Sequence, residues 1–443
     1  MIKIARLFLK TVFAVFPLFF LFSCMSMADY DFSEIDEKIA AGAYFEAEEK
    51  IEKENAKIYS SHDNLLYALD RGLLFHYAKD EKKSNEFLSE AEHLIERYYA
   101  RSISQTITSA LTNDLAQDYS GEDSEDIYTN LFKALNYLSM KKNEDAFVEV
   151  RRMGNKIRLL EQKYEKTILS ESEHGVNVEK VSSQFSDSAL ARYISLLLYR
   201  ADGDDSNALI DKRAIEVLFA SKKLYDFPIP SSISSELSVP KEMARLNTIA
   251  FCGRSPIKKE QTTRIYYERG GIFFKLALPE MEKIPSKINR VTIEAKNLKN
   301  GKKTSATAEK IESIEEIFLD TFKRKYSVSK AKSLARAITR AATSTTMDVL
   351  SAKSANEENY TASFLFSLMG LFTKAYTEGV ERADTRICRY FPASALVSGI
   401  NVEAGTYEVT VSFFSGNKIV SEVKKEIEAK AGDVNLVEAY CLK

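Results

Sequence analysis

The sequence has 443 residues, of which 45% are hydrophobic and 28% charged, which is enough for two or three globular domains. Its formal net charge of −2 argues against a nucleic-acid-binding protein, because such a protein needs a basic surface. The four cysteines are too few for a disulfide framework, and none belongs to the CxxC pair of a structural zinc site.

The first residues have the pattern of a secretory leader. Three cations precede an apolar run over residues 11–22: Lys3, Arg6 and Lys10. The run is shorter than the roughly 20 residues that a membrane span needs, so a retained anchor helix is the weaker alternative. Residues 21–24, Leu-Phe-Ser-Cys, resemble a bacterial lipobox, whose cysteine carries diacylglycerol. This predicts a signal peptide over 1–23, lipidation of Cys24 and a tether over 24–30; the alternative is a plain signal peptide with an incidental cysteine.

Residues 31–226 are predicted to be helical hairpins. Apolar residues recur there at helical spacing, and the stretch contains no proline that would force a break. Small residues follow polar turns at Ala47, Ser84 and Ala146, as in the second helix of a tetratricopeptide hairpin. Their separations of 37 and 62 residues are irregular against a tetratricopeptide period of about 34. We therefore expect a tetratricopeptide-like α-solenoid, with an irregular helical bundle as the alternative.

The composition changes after the helical stretch. Three prolines and several serines mark a linker over residues 227–245. Residues 246–443 are then predicted to form a smaller mixed α/β domain. Strands are predicted over 246–252, 263–274 and 288–298, and helices over 310–349 and 361–378. A C-terminal hairpin is predicted to begin at Gly405 and to turn at 415–417, and a last strand follows over 434–442. The expected fold class is α+β, with a C-terminal antiparallel β-sheet and helices between its halves.

Several segments together resemble an uncharacterised family of tetratricopeptide-like bacterial lipoproteins with a C-terminal β-containing domain. The segments, in chain order, are Asn64–Gly72, Ala134–Tyr137, Val148–Arg152, Gly253–Lys258, Ala335–Ala341, Ala383–Arg386 and Ala404–Tyr407. The chain departs from the family pattern at Lys79, where a turn glycine is usual, and at Cys388, where a tryptophan is expected. The resemblance implies an envelope lipoprotein with a helical repeat domain, and it implies no known chemistry.

No catalytic motif stands out. The four histidines form no HExxH arrangement, and no GxSxG, Walker A or GxGxxG segment occurs. We assign no catalytic residue and expect neither a metal nor a cofactor. His76 lies next to a core-facing position and is predicted to be a structural histidine. Cys252, Cys388 and Cys441 leave one disulfide open, and the sequence does not choose its partners.

Two groups of residues are candidate contacts with a ligand or partner. Gly253, Pro256 and Lys258 form a loop whose backbone N–H groups and ammonium could hold an anion, and a rigid turn between strands is the simpler alternative. Asp384 and Arg386 belong to the second group.

That second group alternates in charge over Glu381, Arg382, Asp384 and Arg386. A ligand or partner could be recognised by it, while a local ion network at the junction of helix and sheet is the simpler alternative.

We expect a non-enzymatic, membrane-anchored scaffold or adaptor for assembly or maintenance of the bacterial envelope. Its partners would be envelope proteins bound by the helical repeats and the membrane bound through Cys24, with a cell-wall synthase suggested by fold-level analogy alone. No acid follows Cys24 closely, which favours the outer membrane over the inner one. The alternatives place a hydrolase or transferase site around Lys258, Glu381 and Asp384, or a small-ligand or lipid carrier, in the C-terminal domain.

Overall fold

The protein has an α+β fold in which a helical region precedes a β-sheet region, as the sequence predicted. A computed structural model describes residues 30–104, 117–173, 180–267, 272–327, 330 and 382–443. The predicted signal peptide, Cys24 and the tether up to residue 29 lie outside the described residues.

The helices cover most of the region in which helical periodicity was found. In chain order they are α1 Ser33–Ala41, α2 Tyr44–Lys53, α3 Asn55–Ile58, α4 Asn64–Tyr77, α5 Glu81–Ser104, α6 Asp123–Ser139, α7 Asn143–Glu173, α8 Ala189–Ala201 and α9 Asp205–Ser221. Helix α6 begins with a capping box, in which the side chains of Glu122 and Glu125 each accept a hydrogen bond from the other's backbone N–H.

Four helix pairs, α1–α2, α4–α5, α6–α7 and α8–α9, are joined by turns of the same geometry. Each turn has one residue in the left-handed conformation: Gly42, Lys79, Lys141 and Gly203. The residue after it donates its N–H to a carbonyl five residues earlier, which satisfies a carbonyl left open at the end of the first helix. Five positions after each left-handed residue comes a small, fully buried side chain: Ala47, Ser84, Ala146 and Ala208.

Within the described residues of the second half of the chain, ten strands and two further helices follow. They are α10 Ser231–Ser235, β1 Met243–Cys252, β2 Ile257–Tyr267, β3 Ile272–Glu282, β4 Arg290–Asn297, β5 Lys303–Thr307, β6 Glu309–Ser313, α11 over 314–327, β7 Ser394–Glu403, β8 Gly405–Ser415, β9 Lys418–Ala429 and β10 Asn435–Cys441. One sheet has the order β10-β1-β7-β6, a second has the order β5-β4-β8-β9, and β2 pairs with β3 alone.

Three details of the predicted sheet are wrong. Strand β10 runs parallel to β1, so the first sheet is mixed rather than antiparallel. The strand predicted over 263–274 belongs to two antiparallel strands, β2 and β3, and the glycines between them lie outside the described residues. The helix predicted over 310–349 begins as β6, because residues 309–313 pair with β7 and bury Ile311 before helix α11 starts. The predicted helix is described over 314–327 and at residue 330. Its other residues up to 349, and the helix predicted over 361–378, lie outside the described residues.

The two sheets pack face to face through alternating apolar residues. On β4, Val291, Ile293 and Ala295 point into this space, where they meet Val411 and Phe413 of β8 and residues of β1, β7 and β10. The other face of the first sheet packs against the helices. The helical and β regions are therefore arranged as three layers, with the mixed sheet in the middle.

One continuous hydrophobic core joins the helices to the mixed sheet. The ring of Phe132 on α6 lies 5.6 Å from the ring of Phe251 on β1, and the rings of Tyr77 on α4 and Tyr440 on β10 are 4.8 Å apart. The segment predicted as a linker, 227–245, includes α10 and the start of β1 and is packed against both regions. The sequence separates these regions by composition, but their apolar surfaces are buried together.

Candidate functional site

The Gly253 loop is a tight connection between β1 and β2. Gly253 has φ 67°, and a Cβ at this position would lie 2.8 Å from the Cβ of Ser286, so only glycine fits without a shift. The N–H groups of Gly253 and Ser255 donate to the carbonyls of Cys441 (3.0 Å) and Phe391 (2.8 Å). These two donors are used within the fold, which favours the rigid-turn alternative over an anion site.

Lys258, two residues after Pro256 and inside β2, is buried with its charge compensated. Its ammonium forms an ion pair with the carboxylate of Glu122 at the start of α6 and donates to the carbonyl of Arg386 at 2.9 Å. Lys325 on α11 approaches the same Glu122 carboxylate at 3.0 Å. The Lys258 charge therefore joins β2 to α6.

Asp384 and Arg386 form a two-pronged ion pair. The guanidinium Nε and Nη2 of Arg386 donate to the two carboxylate oxygens of Asp384 at 2.8 and 2.7 Å, and Nη1 reaches Asp63 at 3.0 Å. Burial alone would raise the pKa of Asp384, but the neighbouring guanidinium outweighs it and lowers that pKa. Arg386 thereby ties the segment before β7 to the start of α4.

The structure thus brings Lys258, Asp384 and Arg386 together, while Glu381 lies outside the described residues. Both cations lie near the ring of Tyr119, at 5.7 Å for Lys258 and 5.4 Å for Arg386. Each described charge of this cluster has an oppositely charged partner: Lys258 pairs with Glu122, and Arg386 pairs with Asp384 and Asp63. The arrangement fits the local ion network that the sequence offered as the simpler alternative.

His76 is buried and hydrogen-bonded through both ring nitrogens, as predicted. Its Nδ1 lies 2.7 Å from the Asn136 side-chain oxygen, and its Nε2 lies 2.9 Å from the Glu438 carboxylate and 2.9 Å from the Tyr440 hydroxyl. Lys79, in its left-handed turn, donates to the same Tyr440 hydroxyl at 2.7 Å. This second polar cluster also joins the helices to the mixed sheet.

Two buried carboxylates complete the junction. Glu312 on β6 accepts hydrogen bonds from the hydroxyls of Tyr128 (2.6 Å), Ser188 (2.8 Å) and Tyr225 (2.9 Å), and burial raises its pKa. Glu236, in the predicted linker, forms ion pairs with Arg245 of β1, whose Nε lies 2.9 Å from the carboxylate, and with Arg200 of α8. These groups act as structural connections between layers.

Within the described residues, a cleft among α7, α8 and α9 is large enough to receive a ligand. It encloses a volume of about 570 Å³ and is lined by residues of the three helices and of the segment before α8. We call it the α7–α9 cleft. Its apolar lining includes Val150, Tyr199 and Ile210, of which Ile210 is 58% exposed.

Charged groups also line the α7–α9 cleft. Arg192 bridges two carboxylates, donating to Asp187 at 2.7 Å and to Asp211 at 2.8 Å. Asp211 is 2% exposed, and its second oxygen, Oδ2, has no hydrogen-bond partner within the described part of the chain. Arg151 and Arg158 are exposed, and neither forms an ion pair with a described carboxylate: Arg158 donates to the side-chain oxygen of Asn155, and Arg151 lies 5.5 Å from the ring of Phe147.

Sequence reasoning missed this cleft, although one signal was present. Arg151, Gly154 and Arg158 are spaced i, i+3 and i+7, so they share one face of α7. A glycine in the interior of a long helix is costly and calls for a reason. A Cβ at Gly154 would meet nothing within 4 Å, so the space beside this glycine is part of the open cleft.

Comparison with protein-family models, with curated proteins and with solved structures gives no significant match. Among the described residues, no cluster of histidine, cysteine, aspartate and glutamate has the arrangement of a metal site. Nor does any helix in that part of the chain combine the length and apolarity needed to cross a bilayer.

Proposed function

We propose that this chain is a non-enzymatic, lipid-anchored scaffold or adaptor of the bacterial envelope, which binds partner proteins in the α7–α9 cleft. The observation that carries the proposal is the cleft itself, an open site among helices with apolar and charged lining. Clefts with a largely apolar lining and a few convergent polar groups are the usual binding sites of proteins.

The helical region is proposed to be a tetratricopeptide-like α-solenoid. Four turns with one geometry, each followed by a small buried residue, support this reading. Stacked helical hairpins present a concave surface that suits peptides and protein segments. In this scheme α7, α8 and α9 belong to neighbouring hairpins, and the cleft is part of that surface.

The anchor is proposed to be lipid on Cys24. The basic start, the short apolar run and the lipobox-like residues 21–24 support it, as does the resemblance of several segments to tetratricopeptide-like lipoproteins. The partners would then be envelope proteins, with a cell-wall synthase as the more specific candidate by analogy. The outer membrane is the favoured location.

The alternatives have less support. A hydrolase or transferase around Lys258 would need its ammonium to reach a substrate, yet that ammonium is buried and paired with Glu122. A lipid carrier would need room between the sheets, where the side chains of β1, β4, β8 and β10 pack together.

The test is site-specific photo-crosslinking in cells. A photoreactive amino acid at Ile210, which is exposed in the cleft, should give discrete adducts with envelope proteins. The control position is Ile419, which is 48% exposed on β9 and remote in sequence from the cleft helices. The Cys24→Ala variant should lose membrane association. Equal adducts from both positions, or none from Ile210, would count against the proposed function, and retention of the variant on membranes would count against the anchor.

A further inference from the structure

We propose that the α7–α9 cleft binds a peptide segment in which an acidic side chain lies next to an apolar one. This inference rests on the proposed protein-binding function and names the chemistry of the partner. The segment's carboxylate would lie above Gly154 between Arg151 and Arg158, and its apolar neighbour would pack on Ile210 and Tyr199.

Charge is the first argument. Three arginines and two aspartates line the cleft, so its lining has a surplus of one positive charge on a chain whose net charge is −2. Both aspartates are engaged by Arg192, which leaves the guanidinium groups of Arg151 and Arg158 without a described carboxylate partner. Arginine suits recognition of carboxylates because its planar group donates two parallel hydrogen bonds.

The geometry of α7 is the second argument. Seven residues span about 10 Å along a helix, so the two arginines lie two turns apart with Gly154 between them. The neighbouring Arg152, about 100° further around the same helix, shows the contrast. Arg152 approaches the carboxylates of Glu92 (3.4 Å) and Glu149 (3.5 Å), so its charge is compensated within the protein.

Asp211 is the third argument, because it indicates a peptide rather than a simple anion. A buried carboxylate oxygen without a donor is costly to leave unsatisfied. Asp211 Oδ2 is such an oxygen, and it belongs to a residue that lines the cleft. A bound peptide brings backbone N–H donors to the lining beside Asp211 while its side-chain carboxylate pairs with the arginines. A sulfate ion brings negative charge to the same place without any donor.

The experiment uses the full mature chain and a phage-displayed library of random peptides. Peptides are selected on the wild type and counter-selected on Gly154→Tyr, whose side chain would occupy the open position. Gly154→Ala, which adds only a methyl group where nothing lies within 4 Å, is the matched control for this substitution. An enriched peptide is then synthesised with a fluorescent label and an amidated C-terminus, so that only side-chain carboxylates remain.

Binding of that peptide is measured by fluorescence anisotropy. We expect enriched peptides to carry Asp or Glu beside an apolar residue, and we expect at least a tenfold rise in Kd for Arg151→Glu/Arg158→Glu. The control Arg213→Glu/Lys223→Glu makes the same change of charge at exposed positions outside the cleft lining and should change Kd less than twofold. Replacing the peptide's Glu by Gln should also raise Kd at least tenfold, and this arm does not depend on the folding of any variant.

Enriched peptides that lack acids, or an unchanged Kd with the Gln peptide, would overturn the inference and leave the protein-binding function standing. If selection finds no peptide that Gly154→Tyr rejects, the inference is overturned. If photo-crosslinking from Ile210 also yields no partner, the proposed function fails as well.

Discussion

Asp70 should make the protein less stable at high pH than at low pH, and Asp70→Asn should remove this effect. Asp70 lies on α4 with no exposed surface, and the hydroxyl of Tyr59 donates to its carboxylate at 2.7 Å. Burial outweighs this hydrogen bond and raises the pKa of Asp70 from 3.8 to about 7. The folded protein therefore holds the Asp70 proton more tightly than the unfolded chain does, so stability falls as pH rises from about 4 to about 7.

The magnitude follows from the width of that window. One pKa unit corresponds to about 1.4 kcal/mol, and about two units lie between pH 5 and the folded-state pKa of about 7. Between about pH 5 and about pH 8, the wild type should therefore lose about 3 kcal/mol of its free energy of unfolding through Asp70, and Asp70→Asn should not show this loss. Urea unfolding followed by circular dichroism and tyrosine fluorescence measures it, since the chain has 22 tyrosines and no tryptophan.

Glu92 provides the control. Its burial is outweighed by Lys156 and Lys133, which lower the pKa of Glu92 from 4.5 to about 2. Its stabilising contribution is therefore present above about pH 4.5 and lost only as pH falls toward 2. Glu92→Gln should destabilise the protein by a similar amount at about pH 5 and about pH 8. If the change in free energy of unfolding caused by Asp70→Asn were equally independent of pH, the reasoning about Asp70 would be refuted.

Three further predictions concern the loop, the ion network and the thiols. Gly253→Ala should lower the free energy of unfolding by about 2–4 kcal/mol, because the backbone there is left-handed and the new Cβ would contact Ser286. The control Gly301→Ala, whose backbone is also left-handed but whose Cβ would meet nothing within 4 Å, should lower it by about 1 kcal/mol. Lys258→Met should lower the free energy of unfolding by about 3 kcal/mol because it removes one of the two cations, Lys258 and Lys325, that pair with the buried Glu122 carboxylate, and adding Glu122→Gln should restore part of it; full additivity would contradict this. Cys388 and the other two described thiols are buried, so an aromatic disulfide reagent should label them only after unfolding, and rapid labelling of the native protein would disprove this.

The helical region could be predicted because its signals are local. Helical periodicity over 31–226 and the small residues after the turns depend on neighbours a few positions apart, and the structure has helices and turns at these places. The departure at Lys79 shows the limit of local reasoning. A lysine in a left-handed turn is unfavourable by about 1 kcal/mol, and its contacts with Glu438 and Tyr440 offset that cost.

The sheets and the candidate site depend on contacts that the sequence does not encode locally. The parallel pairing of β10 with β1 joins residues almost 190 positions apart. The short apolar segment around Ile311 suits a helix as well as a buried strand, so its sequence does not distinguish the two. Lys258 and Arg386 are recognisable in the sequence as charged residues in suggestive places, but their partners Glu122 and Asp63 lie at the starts of α6 and α4. The α7–α9 cleft needs three helices in position before it exists.

The shared core has a consequence for when the chain can fold. Bonds such as His76 to Glu438 span 362 positions, and the aromatic faces of α4 and α6 find their cover on β1 and β10. Residues 435–441 must therefore have emerged from the ribosome before the helices can complete their packing. Until then the aromatic faces of α4 and α6 lack the cover that β10 and β1 give them. For a protein that is proposed to leave the cytoplasm, a chain exported while it is being made would complete this packing only on the far side of the membrane.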